Sequence, residues 1–307
     1  MVAALLADLF ESHRAHLLSV AYRLTGSVTD AEDAVQESWL RLATARQSEI
    51  EDLRAWLTTV VSRICLDRLR SAASRRESYV GQWLPEPVVS ARTPSSMPDP
   101  LEAVVRKQDF RLAALVVLDT LTPPQRVAFV LHDGFGVPFD EIAEILGVSA
   151  EAARQSAARA RKAVARTPEP ARHEEHLAAV QRLMDAMATG SVEAIVAALH
   201  PDAVFVSDAG GTTRTVLNTV VGAERIGRLV VGLLNKYRMD LSEPGALEYE
   251  FVSVNGELGL LLHERAPRDG VPGSPARILG FTVRDGAVWA AYDLVNPAKL
   301  RGVRVPY

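Results

Sequence analysis

One cysteine in the whole chain, Cys65, rules out an intramolecular disulfide and cannot by itself build a metal site. It falls inside a helical pattern, where its expected role is small-residue packing. Long apolar runs are missing too. No window approaches ~18 uncharged apolar residues, and the opening MVAALLADLF is too short, too acidic and too broken for the apolar core of a signal peptide. A cytoplasmic protein without membrane contact is expected. Internal repeats and long low-complexity segments are also absent, and 48% hydrophobic with 23% charged residues is a globular composition. The 307 residues suffice for two or three domains.

Net positive charge is lacking as well, at -4 overall, which argues against a polyanion partner until the distribution is read. From Asp8 to Asp52 nine acids face four arginines, whereas Arg54 to Arg76 holds six arginines and a single aspartate. A second basic cluster comprises Arg154, Arg159, Arg161, Lys162 and Arg166. One acidic and two basic surfaces are therefore expected.

Apolar positions at helical spacing predict helices over residues 2–24 and 29–45, with Thr29 as a cap before Asp30, Glu32 and Asp33. A third helix, from about Asp52 to Arg76, places Leu53, Trp56, Leu57, Val60, Ile64 and Leu69 near one face. Prolines 85, 87, 94, 98 and 100 forbid a helix between Gly81 and Pro100, which reads as a linker. Helical signals return at Leu101, break at Leu121-Thr122-Pro123-Pro124 and run to about Ala165. Pro168 and Pro170 mark a second linker. From His173 two short helical patterns precede Val- and Leu-rich strands with hairpin turns at Asn255-Gly256 and Asp285-Gly286, the signature of an α+β domain.

The sharpest local signal is FDEIAEILGVSAEAARQSAARARKAV, residues 139–164. Phe139, Ile142, Ala143 and Leu146 form one stripe, Gly147 breaks the helix, Val148 plugs the turn and Ser149 caps a second, basic helix. This pattern reads as a helix-turn-helix. Its second helix turns Glu151, Arg154, Gln155, Ser156 and Arg159 outward, able to meet base edges and phosphates in a major groove. An ordinary helical hairpin with a solvated basic face is the plain alternative.

LTGSVTDAEDAVQESWLRL and RAWLTTVVSRICLDRLRSAASRRE resemble region 2 of an extracytoplasmic-function sigma factor, and LTPPQRVAFVLHDGFGVPFDEIAEILGVSAEAARQSAARARKAV resembles its region 4. The remainder resembles a SnoaL-like domain of the NTF2 cone fold, an arrangement similar to the SigJ type of such factors. The resemblance implies sigma region 2 at residues 1–80, a linker at 81–100, sigma region 4 at 101–166 and the SnoaL-like domain at 173–307. It implies that Asp33, Gln36, Glu37, Trp39 and Leu40 dock on core RNA polymerase. The loop from Thr44 to Glu51 would receive a flipped base of the -10 element, with Arg63, Arg68, Arg70, Arg75 and Arg76 on its phosphates. Ser149, Glu151, Arg154, Gln155, Ser156 and Arg159 would read the -35 element.

A domain after residue 166 needs a reason. A structural appendage is one. Catalysis is another, with His200, Asp202, Asp208, His263 and Asp293 as candidates, but no pair among them has diagnostic spacing, so no enzyme and no cofactor is expected. His173 and His176 lack a third ligand and read as solvated, so no metal is expected. Regulation is the third reading. Trp83 in the linker is a large apolar anchor that needs covering, and Pro85 and Pro87 stiffen the stretch Trp83-Leu84-Pro85-Glu86-Pro87 for docking. The SigJ type carries this WLPEP motif, and its NPDKL-like motif appears here as Asn296-Pro297-Ala298-Lys299-Leu300. Where the group has a DGGGK-like stretch, this chain keeps Asp208, Gly210 and Gly211, with Arg214 as the nearest positive charge. Lys299 opposite Glu86 is an expected ion pair. The extra domain is thereby implied to regulate through the linker, without a separate anti-sigma factor. Whether a small ligand enters the cone stays open. The runner-up is a one-component regulator whose helix-turn-helix reads DNA directly while the cone domain binds an effector.

Overall fold

The computed structural model describes residues 2–76, 79–91, 111–165, 167–213, 215–238, 249–268, 270–301 and 303, without the side chains of 2–5 and 73–76. It divides into two compact units, Met1–Ser78 with Ser96–Thr167, and Tyr79–Ser95 with Pro168–Tyr307. Residues 79–91 thus belong with the C-terminal unit rather than forming a free connection. The rest of the expected linker, and the helical pattern expected from Leu101 to Phe110, lie outside the described residues.

The first unit is all helical. Helices α1 (Val2–Thr25), α2 (Val28–Thr44) and α3 (Leu53–Arg76) pack on one another, and a short 3-10 turn, Gln47–Glu49, bridges the last two. Gly26, at φ 67, ends α1 in the left-handed region that glycine tolerates. The cap of α2 is Ser27, whose hydroxyl accepts from the Asp30 amide, so Thr29 lies within the helix rather than before it. The buried face of α2 is Ala31, Ala34, Val35, Ser38 and Leu42, a helical stripe. Cys65 is buried in α3, and burial pushes its thiol up to about 12, which keeps it neutral.

Four more helices follow in the same unit: α4 (Leu112–Asp119), α5 (Pro123–Phe129), α6 (Phe139–Leu146) and α7 (Ala150–Val164). Pro123 opens α5 behind a Thr122–Gln125 capping box, and a π turn, Val130–Gly134, extends it. Arg126 is only 1% exposed; it pairs with Asp119 at 3.0 Å and donates to the carbonyl of Arg23 at 3.2 Å. That contact ties α5 to the end of α1. Phe135 meets the His16 ring edge-on at 5.3 Å and lies under the Arg23 guanidinium.

In the second unit, helices α8 (His173–Ala188), α9 (Val192–Ala198) and α10 (Ala223–Lys236) turn apolar faces onto a sheet. Its strands are β1 (Val89–Ala91), β2 (Leu199–Asp208), β3 (Val220–Val221), β4 (Tyr249–Val254), β5 (Glu257–Leu262), β6 (Arg277–Arg284) and β7 (Ala287–Leu294). The order is β1-β4-β5-β6-β7-β2-β3, with β2 and β7 parallel and every other pair antiparallel. Asn255 and Asp285 both adopt φ 51 ahead of Gly256 and Gly286, and each pair turns a tight hairpin, as expected. The sheet, with its core of Ile195, Phe205, Leu260, Phe281 and Val288, is the α+β cone domain; a last short helix, α11 (Pro297–Leu300), follows β7. His176 departs from expectation: it is 3% exposed, and its Nε2 donates to the Leu258 carbonyl at 3.0 Å. Burial first of all holds its pKa below the ordinary value.

Candidate functional site

The expected linker supplies the first strand of the sheet. Val89, Ser90 and Ala91 pair with Val254, Ser253 and Val252, so β1 covers the outer edge of β4. Asn255, buried at the β4–β5 turn, locks the entry: its side-chain oxygen accepts from the Val88 amide at 3.1 Å, and its amide donates to the Val88 carbonyl at 2.8 Å.

Upstream, residues 79–84 converge on Asp208, at the end of β2, which is 0% exposed. Its Oδ1 accepts from the Tyr79 hydroxyl at 2.5 Å and from the Gly210 amide at 3.1 Å. Its Oδ2 accepts from the Leu84 amide at 2.8 Å and from the Lys299 ammonium at 2.6 Å. A dry carboxylate is costly unless its lone pairs are filled, and here four donors fill them. Lys299 also donates to the Leu84 carbonyl, and its Nζ lies 3.9 Å from the Trp83 ring centroid and 5.7 Å from that of Tyr79.

The motifs on either side make this cluster possible. Asn296 caps α11, accepting from the Ala298 amide, while Nδ2 donates to the Tyr79 hydroxyl at 2.9 Å. Pro297 occupies the first turn, where its missing N–H costs nothing, and the single turn brings Lys299 back to Asp208. Gly210 sits at φ 57, and a Cβ there would lie 2.5 Å from Asn296 Nδ2; at Gly211, φ 74, one would lie 3.1 Å from Val80 Cβ. Both glycines therefore serve a left-handed turn and a close approach.

One expectation about the linker changes. Leu84 is 0% exposed and Pro85 and Pro87 are buried, whereas Trp83 is half-buried, because its ring forms a lid on the ammonium rather than filling a pocket. Lys299 pairs with the buried Asp208 carboxylate at 2.6 Å, and Glu86 is half-buried. Tyr79 and Asn255 were missed. A tyrosine just outside a motif and an asparagine already explained by its turn carry no signal in sequence alone. Arg214 lies outside the described residues.

In the first unit, Asp33, Gln36 and Leu40 are exposed on α2, with Glu37 and Trp39 half-exposed beside them. Leu40 is 63% exposed, and Glu37 is held by Arg41 at 2.5 Å. On α3, Arg63 and Arg70 are exposed, and Arg70 lies 3.7 Å from Asp67. Arg68 pairs with Asp30 at 3.0 Å and Asp33 at 3.5 Å, tying α3 to α2. The side chains of Arg75 and Arg76 lie outside the described part, although α3 reaches Arg76. In α7, Ser149 caps through the Ala152 amide, and Glu151, Arg154, Gln155 and Arg159 are exposed, with Ser156 intermediate. Arg154 and Gln155 both reach back to Glu151, and Arg154 lies over the Phe139 ring. Gly147, at φ 69, makes the turn, but Val148 is 43% exposed and does not plug it.

The candidate catalytic residues do not assemble. Asp202 is exposed, His200 lies 3.8 Å from Asp285, and His263 lies 2.9 Å from Glu250. Asp208 is saturated by Tyr79, Leu84, Gly210 and Lys299. Asp293 alone lines a cavity, one of about 280 Å³ on the helix-covered side of the sheet. Among the described residues, no group of three His, Cys, Asp or Glu could hold a metal ion, and no helix is long and apolar enough to cross a membrane.

Comparison with known proteins matches residues 9–75 to Sigma-70 region 2 and residues 111–164 to Sigma-70, region 4. The chain is 51% identical over 300 residues to the ECF RNA polymerase sigma factor SigJ of Mycobacterium tuberculosis, covering 95% of this chain and 92% of that protein. It is 35% identical over 229 residues to the probable ECF RNA polymerase sigma factor SigI of the same species, covering 72% and 74%. The crystal structure of Mycobacterium tuberculosis extracytoplasmic function sigma factor SigJ superimposes with a TM-score of 0.81 at 49% identity, covering 98% of this chain and 100% of that one.

Proposed function

The chain belongs to the extracytoplasmic-function family of RNA polymerase sigma factors, and we propose that its own C-terminal domain controls it by holding residues 79–91. The observation that carries this reading is the Asp208 cluster, in which Tyr79, Leu84 and Lys299 converge on one dry carboxylate. On this reading the exposed acidic and apolar residues of α2, Asp33, Gln36, Glu37, Trp39 and Leu40, dock on core RNA polymerase. Arg63 and Arg70 track the phosphates of the melted -10 strand, and Arg154, Gln155 and Arg159 of α7 reach the -35 element. Such work takes place in the cytoplasm and asks for binding, not catalysis.

Distance sets the regulatory problem. By their names the two promoter elements lie about 25 base pairs apart, or roughly 85 Å along the duplex at ~3.4 Å per pair. A compact unit of about 150 residues, the size of the first unit, has a radius of gyration of only ~15 Å. The Arg126 contact between α5 and α1 belongs to a closed unit, which must open before both elements are engaged. Releasing or holding the segment that joins α3 to α4 is a direct way to set that opening.

Reconstituted initiation tests the reading. The full chain, added to core polymerase with a library of promoter fragments, is expected to give specific starts, and Leu84→Ala or Lys299→Met is expected to change their yield without moving them. Sequence-specific DNA binding without polymerase-dependent starts would instead support the effector-regulator reading. Unchanged yield from both variants, with residues 79–91 shown to be released, would remove the linker from the mechanism.

A further inference from the structure

One polar group beside the linker site is left incomplete. Asp293, on β7, is 1% exposed, and its Oδ2 accepts from the Ser207 hydroxyl at 2.8 Å and from Arg277 at 3.4 Å. Its Oδ1 is buried and has no hydrogen-bond partner among the described residues. Ser207 spends its proton on Asp293, so the hydroxyl of Thr215, 2.5 Å away, must donate to Ser207. Thr215 is thereby left with acceptor capacity only.

These groups end at the 280 Å³ cavity, which Thr215, Arg277 and Asp293 line together with Phe205, Val216 and Leu229. The volume lies near the lower end of small-molecule sites and is well above the ~150 Å³ that holds a benzene ring. We propose that this cavity binds a small, largely apolar, uncharged molecule bearing one hydroxyl group, and that its occupancy tightens the hold on residues 79–91.

The chemistry of the polar end selects the hydroxyl. Arg277 offers donors, whereas Thr215 and Asp293 ask for one, and a hydroxyl is the smallest group that accepts and donates together. The Arg277–Asp293 pair balances its own charge, so a carboxylate or an ammonium would meet one matched and one opposed partner. Burial raises the Asp293 carboxyl above its ordinary range, and Arg277 and Ser207 pull it back toward the ionised form in which Oδ1 asks for a donor.

The route to the linker is short. Ser207 precedes Asp208 in β2, and Asp293 sits opposite Ser207 in the parallel β2–β7 pair. Two and three residues beyond Asp293, the amides of Val295 and Asn296 donate to the carbonyl of Asp208. Both strands of the cavity floor therefore run directly into the cluster that holds Tyr79 and Leu84. A ligand that completes the Ser207–Asp293 network in the docked geometry favours that geometry. This second half of the proposal rests on the reading of residues 79–91 as a control segment; the binding itself does not.

The test uses the full chain with phenol, 4-propylphenol, cyclohexanol and 2-naphthol, each beside its counterpart without the hydroxyl, and 2-naphthoate, by calorimetry. At least one hydroxylated probe is expected to bind with one-to-one stoichiometry, about tenfold tighter than its counterpart, the increment of one satisfied buried hydrogen bond. Leu229→Trp, which fills the cavity, is expected to abolish binding, and Thr215→Val to reduce the preference for the hydroxyl while still taking up the hydrocarbon. No binding by any hydroxylated probe, or equal binding of hydrocarbon and hydroxyl by the unmodified chain, overturns the site. Amide hydrogen exchange of residues 79–91 is then expected to slow severalfold with the bound probe. Unchanged exchange overturns the coupling. Exchange that slows without any change in transcript yield would leave this site standing and count against the control-segment reading instead.

Discussion

Two buried carboxylates one strand apart behave in opposite ways. Asp208 and Asp293 are 0% and 1% exposed, and both sit where β2 and β7 run side by side. Asp208 receives four donors, two of them from the segment 79–84, and nothing is left over. Asp293 shares Oδ2 between Ser207 and Arg277, and its Oδ1 has no partner among the described residues. The difference separates a site that the chain has filled with its own residues from one that still has room. Filling the first needs a stretch from far away in sequence, which is why a connecting segment carries Tyr79 and the WLPEP motif at all.

Removing the saturated carboxylate is the strongest way to press the contrast. Asp208→Ala leaves Lys299 charged and buried and is expected to cost ~3–5 kcal/mol, read by denaturant unfolding; Asp293→Asn, which keeps the shape, is expected to cost much less. Equal costs would dissolve the distinction. Within the docked segment, Leu84→Ala is expected to lose ~2–4 kcal/mol because the side chain is wholly buried. Trp83→Ala is expected to lose only ~1 kcal/mol, chiefly the contact of its ring with Lys299. A larger loss at Trp83 than at Leu84 would restore the tryptophan as the principal anchor.

Acidity offers a gentler probe. A carboxyl raised in the folded state stabilises below its unfolded value near 3.9 and loses that contribution as pH climbs through the raised value, so Asp293→Asn is expected to flatten unfolding curves above about pH 4. The first unit should show the opposite sign. Burial, with help from Arg54 and His13, pushes His16 down to about 4, so its contribution is complete above about pH 6.5 and vanishes as pH falls toward 4. His16→Phe is expected to remove that acid loss, followed by helical circular dichroism.

The helical half could be read from sequence because its signals are local. The stripe on α2, the Gly147 turn and the Ser149 cap each depend on residues within one or two turns, and they appear where spacing puts them. The capping error at Thr29 is of the same local kind: Ser27 and Thr29 are equally able acceptors, and Gly26 decides between them by ending α1 just before Ser27. Partnerships across the fold were less accessible. Asp208 and Lys299 could be named from motif resemblance, yet the geometry that unites them with Tyr79 depends on a pairing between β1 and β4 some 160 residues apart. His176 was misplaced for the same reason, since a polar side chain looks solvated until its neighbours across the core are known.

The pairing of β1 with β4 also sets a timetable. Residues 79–91 leave the ribosome early, whereas Lys299, the last partner of that segment, is about 200 residues further on. At ~5–20 residues per second, roughly 10 to 40 s separate the two. By Val164, at the end of α7, the described helices of the first unit have all been made, and about 135 residues remain before Lys299 completes the site that holds residues 79–91. On the proposed reading of residues 79–91 as a control segment, each newly synthesised molecule passes through an unrestrained period whose length is fixed by the distance along the chain between Val164 and Lys299.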